Sequence, residues 1–143
     1  MIEFKNAAST ASLIVCKENC VYLIKRKHDP FKGQWALPGG FLNCDQESLE
    51  EAAVRELFEE TKLKAKIESL KLVMVNSNPK RDPRGHVIDH VFIVVDFDGE
   101  PEAADDASEI KKFNIDALPE LAFDHKEVLS RLIKPYKNLS LYF

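Results

Sequence analysis

Apolar and β-branched residues form two dense runs near the start of the chain, residues 10–16 and 20–26, separated only by Lys17, Glu18 and Asn19. Runs of this kind joined by a short polar break predict a β-hairpin. At Ser48 the period changes. From there to Leu63 strong helix formers follow one another without interruption, and Ser48 with Glu51 three residues later is the signature of a capping box. Val54, Leu57, Phe58 and Thr61 recur at i, i+3, i+4 and i+7, which predicts a helix with one stripe packed on a sheet. Residues 63–75 alternate and then become apolar, as a long strand bending near Ser69 would, and residues 86–97 read as a core strand. Residues 108–113 predict a short strand. Val128, Leu129, Leu132 and Ile133 mark the buried face of a last helix whose start is signalled by Asp124 and Glu127.

The chain has 143 residues, 45% of them hydrophobic, which suits one domain spanning 1–143 with a full core. Its 20 basic and 24 acidic residues leave a net charge of -4, which argues against a general affinity for nucleic acid or anionic membranes and for a small-molecule partner. The first residues contain acid and no long apolar run follows, so neither a signal peptide nor a membrane span is expected, and a cytoplasmic location is. Cys16, Cys20 and Cys44 are an odd count without a second pair to complete a zinc site, and read as core or surface thiols.

Candidate chemistry concentrates on the first helix. Glu56, Glu59 and Glu60 have the spacing that brings side chains together on a helix surface, and apart from Lys64, beyond the expected helix end, no lysine follows four residues later to dilute them. A solvated acidic face is one reading. The other is a site for a hard divalent cation such as Mg²⁺, which takes a few carboxylates together with water and substrate phosphates. Pro38, Gly39 and Gly40 just upstream allow a sharp turn and a close backbone approach, which could bring the Gly40 carbonyl to the same ion. Arg26, at the exit of the second strand, reads as a surface base or as a phosphate contact. Residues 76–86 are dense in turn residues and carry Arg81 and Arg84 on a stretch stiffened by Pro79 and Pro83.

The stretch from Gly39 to Leu63 resembles the Nudix box, in which Gly, five residues, Glu and seven residues precede Arg-Glu-apolar-x-Glu-Glu-x-Gly-apolar. Here Glu47, seven residues, and then Arg55, Glu56, Leu57, Phe58, Glu59, Glu60, Thr61, Lys62 and Leu63 match it. Two positions depart: six residues separate Gly40 from Glu47, and Lys62 stands where the family has glycine, so a different helix ending is expected. The resemblance implies an α+β fold, an α/β/α sandwich with a central mixed sheet. It implies Mg²⁺, or Mn²⁺ in its place, held by Glu56, Glu59, Glu60 and Gly40. Arg55 would hold a carboxylate, and Glu59 or Glu109 would act on the attacking water.

Arg81-Asp82-Pro83-Arg84-Gly85 and Leu121-Ala122-Phe123-Asp124-His125 resemble phrases of the ADP-ribose pyrophosphatase branch and of the related ADP-ribose-sensing regulators. That implies hydrolysis of ADP-ribose to AMP and ribose 5-phosphate, with Arg26, Arg81 and Arg84 on the phosphates and, as in many relatives, a homodimer. In this setting Phe123 is an adenine-stacking or core residue, His125 a first-turn helix residue and Trp35 a packing residue. The alternatives are a Nudix hydrolase of other nucleoside di- or triphosphate derivatives, or a non-catalytic ADP-ribose sensor. The regulators often lose metal carboxylates, whereas this chain keeps all three.

Overall fold

The computed structural model describes residues 2–133. Its strands are β1 (Ala8–Lys17), β2 (Cys20–Arg26), β3 (Trp35–Ala36), β4 (Gly39–Phe41), β5 (Leu70–Asn76), β6 (Val87–Val94) and β7 (Ala107–Asn114); its α-helices are α1 (Leu49–Thr61) and α2 (His125–Ile133). A reversal at Glu18 and Asn19, both left-handed with φ of 52° and 62°, joins β1 to β2 as the expected hairpin. Paired left-handed residues give a two-residue turn the twist that its strands need.

β1 divides its pairing along its length, and this creates the room for a site. Residues 8–15 run parallel to β6, Thr10 to Ser12 pair antiparallel with β4, and only Cys16 and Lys17 pair with β2. β5 lies outside β6, while β3 and β7 flank β2. Period-two alternation sends Leu13 and Val15 to a core shared with Leu57 and Leu63, and Ile14 and Cys16 to one shared with Leu129 and Leu132. The mixed sheet therefore lies between α1 and α2, as the α/β/α sandwich requires.

α1 starts with the expected reciprocal capping box: the Glu51 N–H donates to Ser48 Oγ at 3.2 Å and the Ser48 N–H to Glu51 Oε1 at 3.1 Å. Its end corrects the expectation for Lys62. That residue adopts the left-handed conformation itself, with φ of 64°, and its N–H reaches the Phe58 carbonyl at 2.9 Å. The buried stripe is also rotated from the expected one. It runs through Ala52, Ala53, Leu57, Glu60 and Thr61, because two alanines let the helix sit close to the sheet. Phe58 is left 39% exposed beneath the ammonium groups of Lys62 and Lys64, 5.0 and 5.6 Å from its ring centre.

Residues 63–75 are not one bent strand. Lys64 bridges Asp98, a 3-10 turn occupies Ile67–Ser69, and only then does β5 begin. The acidic segment 98–106 that follows β6 is tied to the end of α1 by main-chain bonds, Glu102 N–H to Thr61 O at 2.8 Å and Ala104 N–H to Glu60 O at 3.1 Å. These satisfy carbonyls that a helix leaves without intrahelical partners. On α2, Val128, Leu129 and Leu132 are buried as expected, while the Ile133 side chain and residues 134–143 lie outside the described residues. No described helix is long and apolar enough to cross a membrane.

A left-handed non-glycine residue carries a backbone penalty of roughly 1 kcal/mol or more, and the exposed contact of Lys62 with Phe58 recovers part of it. Lys62→Gly is predicted to stabilise the fold by about 0.5 to 1 kcal/mol. Urea denaturation checks this, and an unchanged or lower midpoint would show that the Lys62–Phe58 contact outweighs the strain.

Candidate active site

The two glycines ahead of α1 bring backbone and carboxylate together. A Cβ on Gly39, whose φ is 155°, would run into the Ala11 carbonyl, and one on Gly40 would overlap the carboxylate of Glu56. With no side chain in the way, the Gly39 N–H donates to Glu60 Oε1 at 2.8 Å. This junction forms one wall of a cavity of about 350 Å³ lined by Gly40, Glu56 and Glu60. Arg26, Arg81 and Arg84 line the same cavity.

Glu60 is 4% exposed, and burial pushes its carboxyl up to about 8 against the opposing Gly39 hydrogen bond, with the charges of Glu56 and Asp106 adding to the rise. Burial also raises Glu56, countered by Arg55 and reinforced by Glu59 and Asp105. Glu59 does not share this wall. Four residues bring Glu56 and Glu60 to one face, whereas Glu59 is turned outward with a side chain 39% exposed. Glu59 meets Glu56 only through Arg55 Nη1, which donates to both, and among the described residues no three Asp, Glu, His or Cys side chains close into a cation cage. Glu56, Glu60 and the Gly40 backbone nevertheless form an oxygen-rich corner in which the charge of Glu56 helps raise the Glu60 pKa, which suits a hard divalent cation.

Arg55 ties the helix carboxylates to the loop before it. Its Nε donates to both oxygens of Glu47 at 3.1 and 3.0 Å, and its Nη1 to Glu56 at 2.9 Å and Glu59 at 3.1 Å. Its Nη2 donates to Glu47 at 2.7 Å and to the Phe41 carbonyl at 3.0 Å. The Glu47 hydrogen bonds, ahead of the adverse burial, raise the Arg55 pKa, and Arg55 in turn holds Glu47 below the usual carboxylate range.

The basic wall is not uniform. Arg81 has a side chain only 6% exposed and is forked onto Asp124 at 2.9 and 2.8 Å, with Asp89 3.8 Å away. It forms part of the cavity floor and meets any ligand with its charge already engaged in a buried ion pair. Arg84 has a side chain 37% exposed and is paired with Asp82. Arg26 donates through Nε to the Pro30 carbonyl at 2.7 Å, and its guanidinium lies 5.0 Å from the Phe123 ring centre.

Glu109 also requires correction. In the regular register that runs from Cys20 to Lys25, Glu109 faces Lys25 across the strands, 3.9 Å from its Nζ and 53% exposed, away from the cavity. Asp106, three residues earlier, lines the cavity instead. Sequence reasoning also passed over Asp89, which accepts from Thr10 Oγ1 and Ser12 Oγ, each at 2.9 Å, at the floor. An acid inside the β-branched run 87–94 was the available signal for it; Asp106, in a stretch of acids, had none. His125 is buried and accepts the Leu37 N–H on Nδ1 at 3.0 Å, and its burial lowers its pKa against the opposing charges of Asp89 and Asp124. Phe123 faces the cavity and packs on Phe31 at 4.7 Å, while Trp35 packs edge-on to Phe113.

Residues 6–132 match the NUDIX domain family. An ADP-ribose pyrophosphatase of Methanocaldococcus jannaschii is 51% identical over 125 residues, which cover 87% of this chain and 72% of that protein. An ADPR responsive transcriptional repressor, NtrR, of Acinetobacter baylyi is 32% identical over 85% of this chain and 50% of its own length. The crystal structure of a bifunctional NMN adenylyltransferase/ADP ribose pyrophosphatase of Francisella tularensis, complexed with AMP and a Mn ion, gives a TM-score of 0.80. It is 33% identical, over 94% of this chain and 43% of that one.

Glu60 carries a pH signature. Its carboxyl stands at about 8 in the fold against an ordinary value of 4.5, so between these limits the folded chain binds more protons than the unfolded one. Stability from this group is therefore full below about 4.5 and is lost as pH rises toward 8. In EDTA, melting temperature is expected to fall across that window in the parent protein and to fall less in Glu60→Gln. Equal slopes would show that Glu60 is not the titrating group.

Proposed function

The chain belongs to the NUDIX family, and from that premise we propose that it is an ADP-ribose pyrophosphatase, hydrolysing ADP-ribose to AMP and ribose 5-phosphate. The observation that carries this reading is the pairing of an oxygen-rich acidic wall with a guanidinium wall across one cavity, in a chain half identical to an archaeal ADP-ribose pyrophosphatase. A diphosphate ester is shielded from attack by its own charge, so a catalyst must neutralise its oxygens and direct water to phosphorus.

The cofactor is a divalent metal ion, and Mg²⁺ is the one proposed, with Mn²⁺ accepting the same donors. Glu56, Glu60 and the Gly40 carbonyl would hold it, with Glu59 joining them on release from Arg55. When bound, such an ion neutralises phosphate oxygens and lowers the pKa of water. The chain's own groups do the remainder. Arg26 and Arg84 bind the diphosphate, Arg55 fixes the helix carboxylates, and Arg81 keeps the floor in place. Water oxygen bonds to one phosphorus as the anhydride P–O bond breaks, and the departing phosphate retains the bridging oxygen. Glu59 would take the water proton; the cavity lining favours Asp106 over Glu109 as the second candidate.

Purified protein should release AMP from ADP-ribose with Mg²⁺, stop in EDTA, and prefer this substrate to nucleoside triphosphates. Glu59→Gln should lower the rate roughly 100-fold with the fold intact. Metal-independent release, or near-parental activity in that variant, would reject the assignment. Tight binding of ADP-ribose without product would move the chain to the sensor reading.

A further inference from the structure

Arg84 is held by one carboxylate and lies against two aromatic rings. Its Nε donates to Asp82 Oδ1 at 3.0 Å and its Nη2 to Asp82 Oδ2 at 2.8 Å, a fork that fixes the guanidinium plane. The same Oδ1 accepts the Arg84 main-chain N–H at 2.9 Å, so side chain and backbone are tied to one carboxylate. The guanidinium carbon lies 4.6 Å from the Phe41 ring centre and 5.3 Å from that of Phe123. Among the described residues no acceptor is recorded at Arg84 Nη1.

Asp82 is 4% exposed and stands in a cavity that also holds five other acids, where one more negative charge works against an anionic ligand. A site that takes a diphosphate gains nothing from that charge unless the carboxylate does something else. What it does is hold a cation that would otherwise leave. Arg26 and Arg84 both lie over Phe123, and the charge of Arg84, second only to burial, lowers the pKa of Arg26. Two guanidiniums this close repel, and an untethered Arg84, already partly exposed, would turn to water.

We propose that Asp82 is a positioning residue for the reaction: it grips Arg84 by its Nε–Nη2 edge between Phe41 and Phe123 and leaves the Nη1 edge for the diphosphate. This rests on the ADP-ribose reading of the site. Arg81 shows the same grip by Asp124 on the same edge, but it is sealed in the floor, so of the two arginines of the 77–86 loop Arg84 is the one that a ligand reaches. Asp82 itself touches no substrate. Its contribution is an arginine already oriented when the ligand arrives.

Asp82→Asn tests this, because Asn Oδ1 can still accept both the main-chain and Nε hydrogens while its amide cannot accept from Nη2. Titration with ADP-ribose in EDTA should give a Kd raised about tenfold, the loss of one charge-assisted hydrogen bond. Turnover with Mg²⁺ should show the same rise in KM with kcat within about threefold of the parent. Arg84→Lys, which keeps the charge but cannot be forked, should weaken binding to a similar degree, and in an Arg84→Ala background Asp82→Asn should add nothing further. A parental Kd in both Asp82→Asn and Arg84→Lys, or an undiminished effect of Asp82→Asn without Arg84, overturns the proposal while parental turnover leaves the substrate reading standing. A parent that neither binds nor cleaves ADP-ribose sinks both.

Discussion

A carboxylate sealed at the contact between a helix and a sheet is the constraint on which this structure depends. Glu60 is 4% exposed, too little for water to solvate its charge fully, and the main-chain donor that meets it is the Gly39 N–H. That bond forms only because residue 39 has no Cβ to strike the Ala11 carbonyl, and Ala11 is in place only because β1 pairs with β4 along Thr10 to Ser12. A buried acid, a glycine and a strand register thus depend on one another. The favourable packing of Leu57 and Leu63 beneath them holds the strained carboxylate in the fold.

From this junction the two walls of the cavity follow by topology. α1 delivers Glu56 and Glu60, β2 and the loop after β5 deliver guanidiniums, and the residues before α2 deliver Phe123 and the Asp124 that grips Arg81. Each guanidinium is restrained: Arg55 by Glu47, Arg81 by Asp124, Arg84 by Asp82. The cavity therefore meets a ligand with its charges already oriented rather than with mobile side chains that must be ordered on binding.

How far the sequence foretold this depended on the range of the forces involved. The hairpin, the capping box and the extent of α1 rest on neighbours in the chain, and were legible. Lys62 was misjudged because the family's glycine was taken as a requirement, whereas the bonds of the Lys62 N–H to the Phe58 carbonyl and of the Leu63 N–H to Thr61 Oγ1 close the helix end with a lysine in the left-handed position. Phe58 followed the expected period yet stays exposed, since Ala52 and Ala53 set the helix closer and rotate its buried face. Glu109 and Asp106 differ by three residues, and the pairing of β7 with β2 decides between them, setting Glu109 opposite Lys25 while Asp106 precedes the strand at the cavity. Arg81 and Arg84 look equivalent in the loop; only the positions of Asp124 and Asp89, distant in sequence, send one to the floor and leave the other at the mouth.

The main-chain bonds from the acidic segment to the end of α1 bear on how such a chain can vary in length. Between Asp98, bonded to Lys64, and Glu102, bonded to Thr61, the segment can lengthen outward into solvent without disturbing anything inside. Between Ala104, bonded to Glu60, and Ala107, the first residue of β7, one added residue would displace Asp106 from the cavity or break the β7 register. The same surface loop is thus permissive at its start and fixed in length at its end, and relatives should concentrate their insertions in the first part.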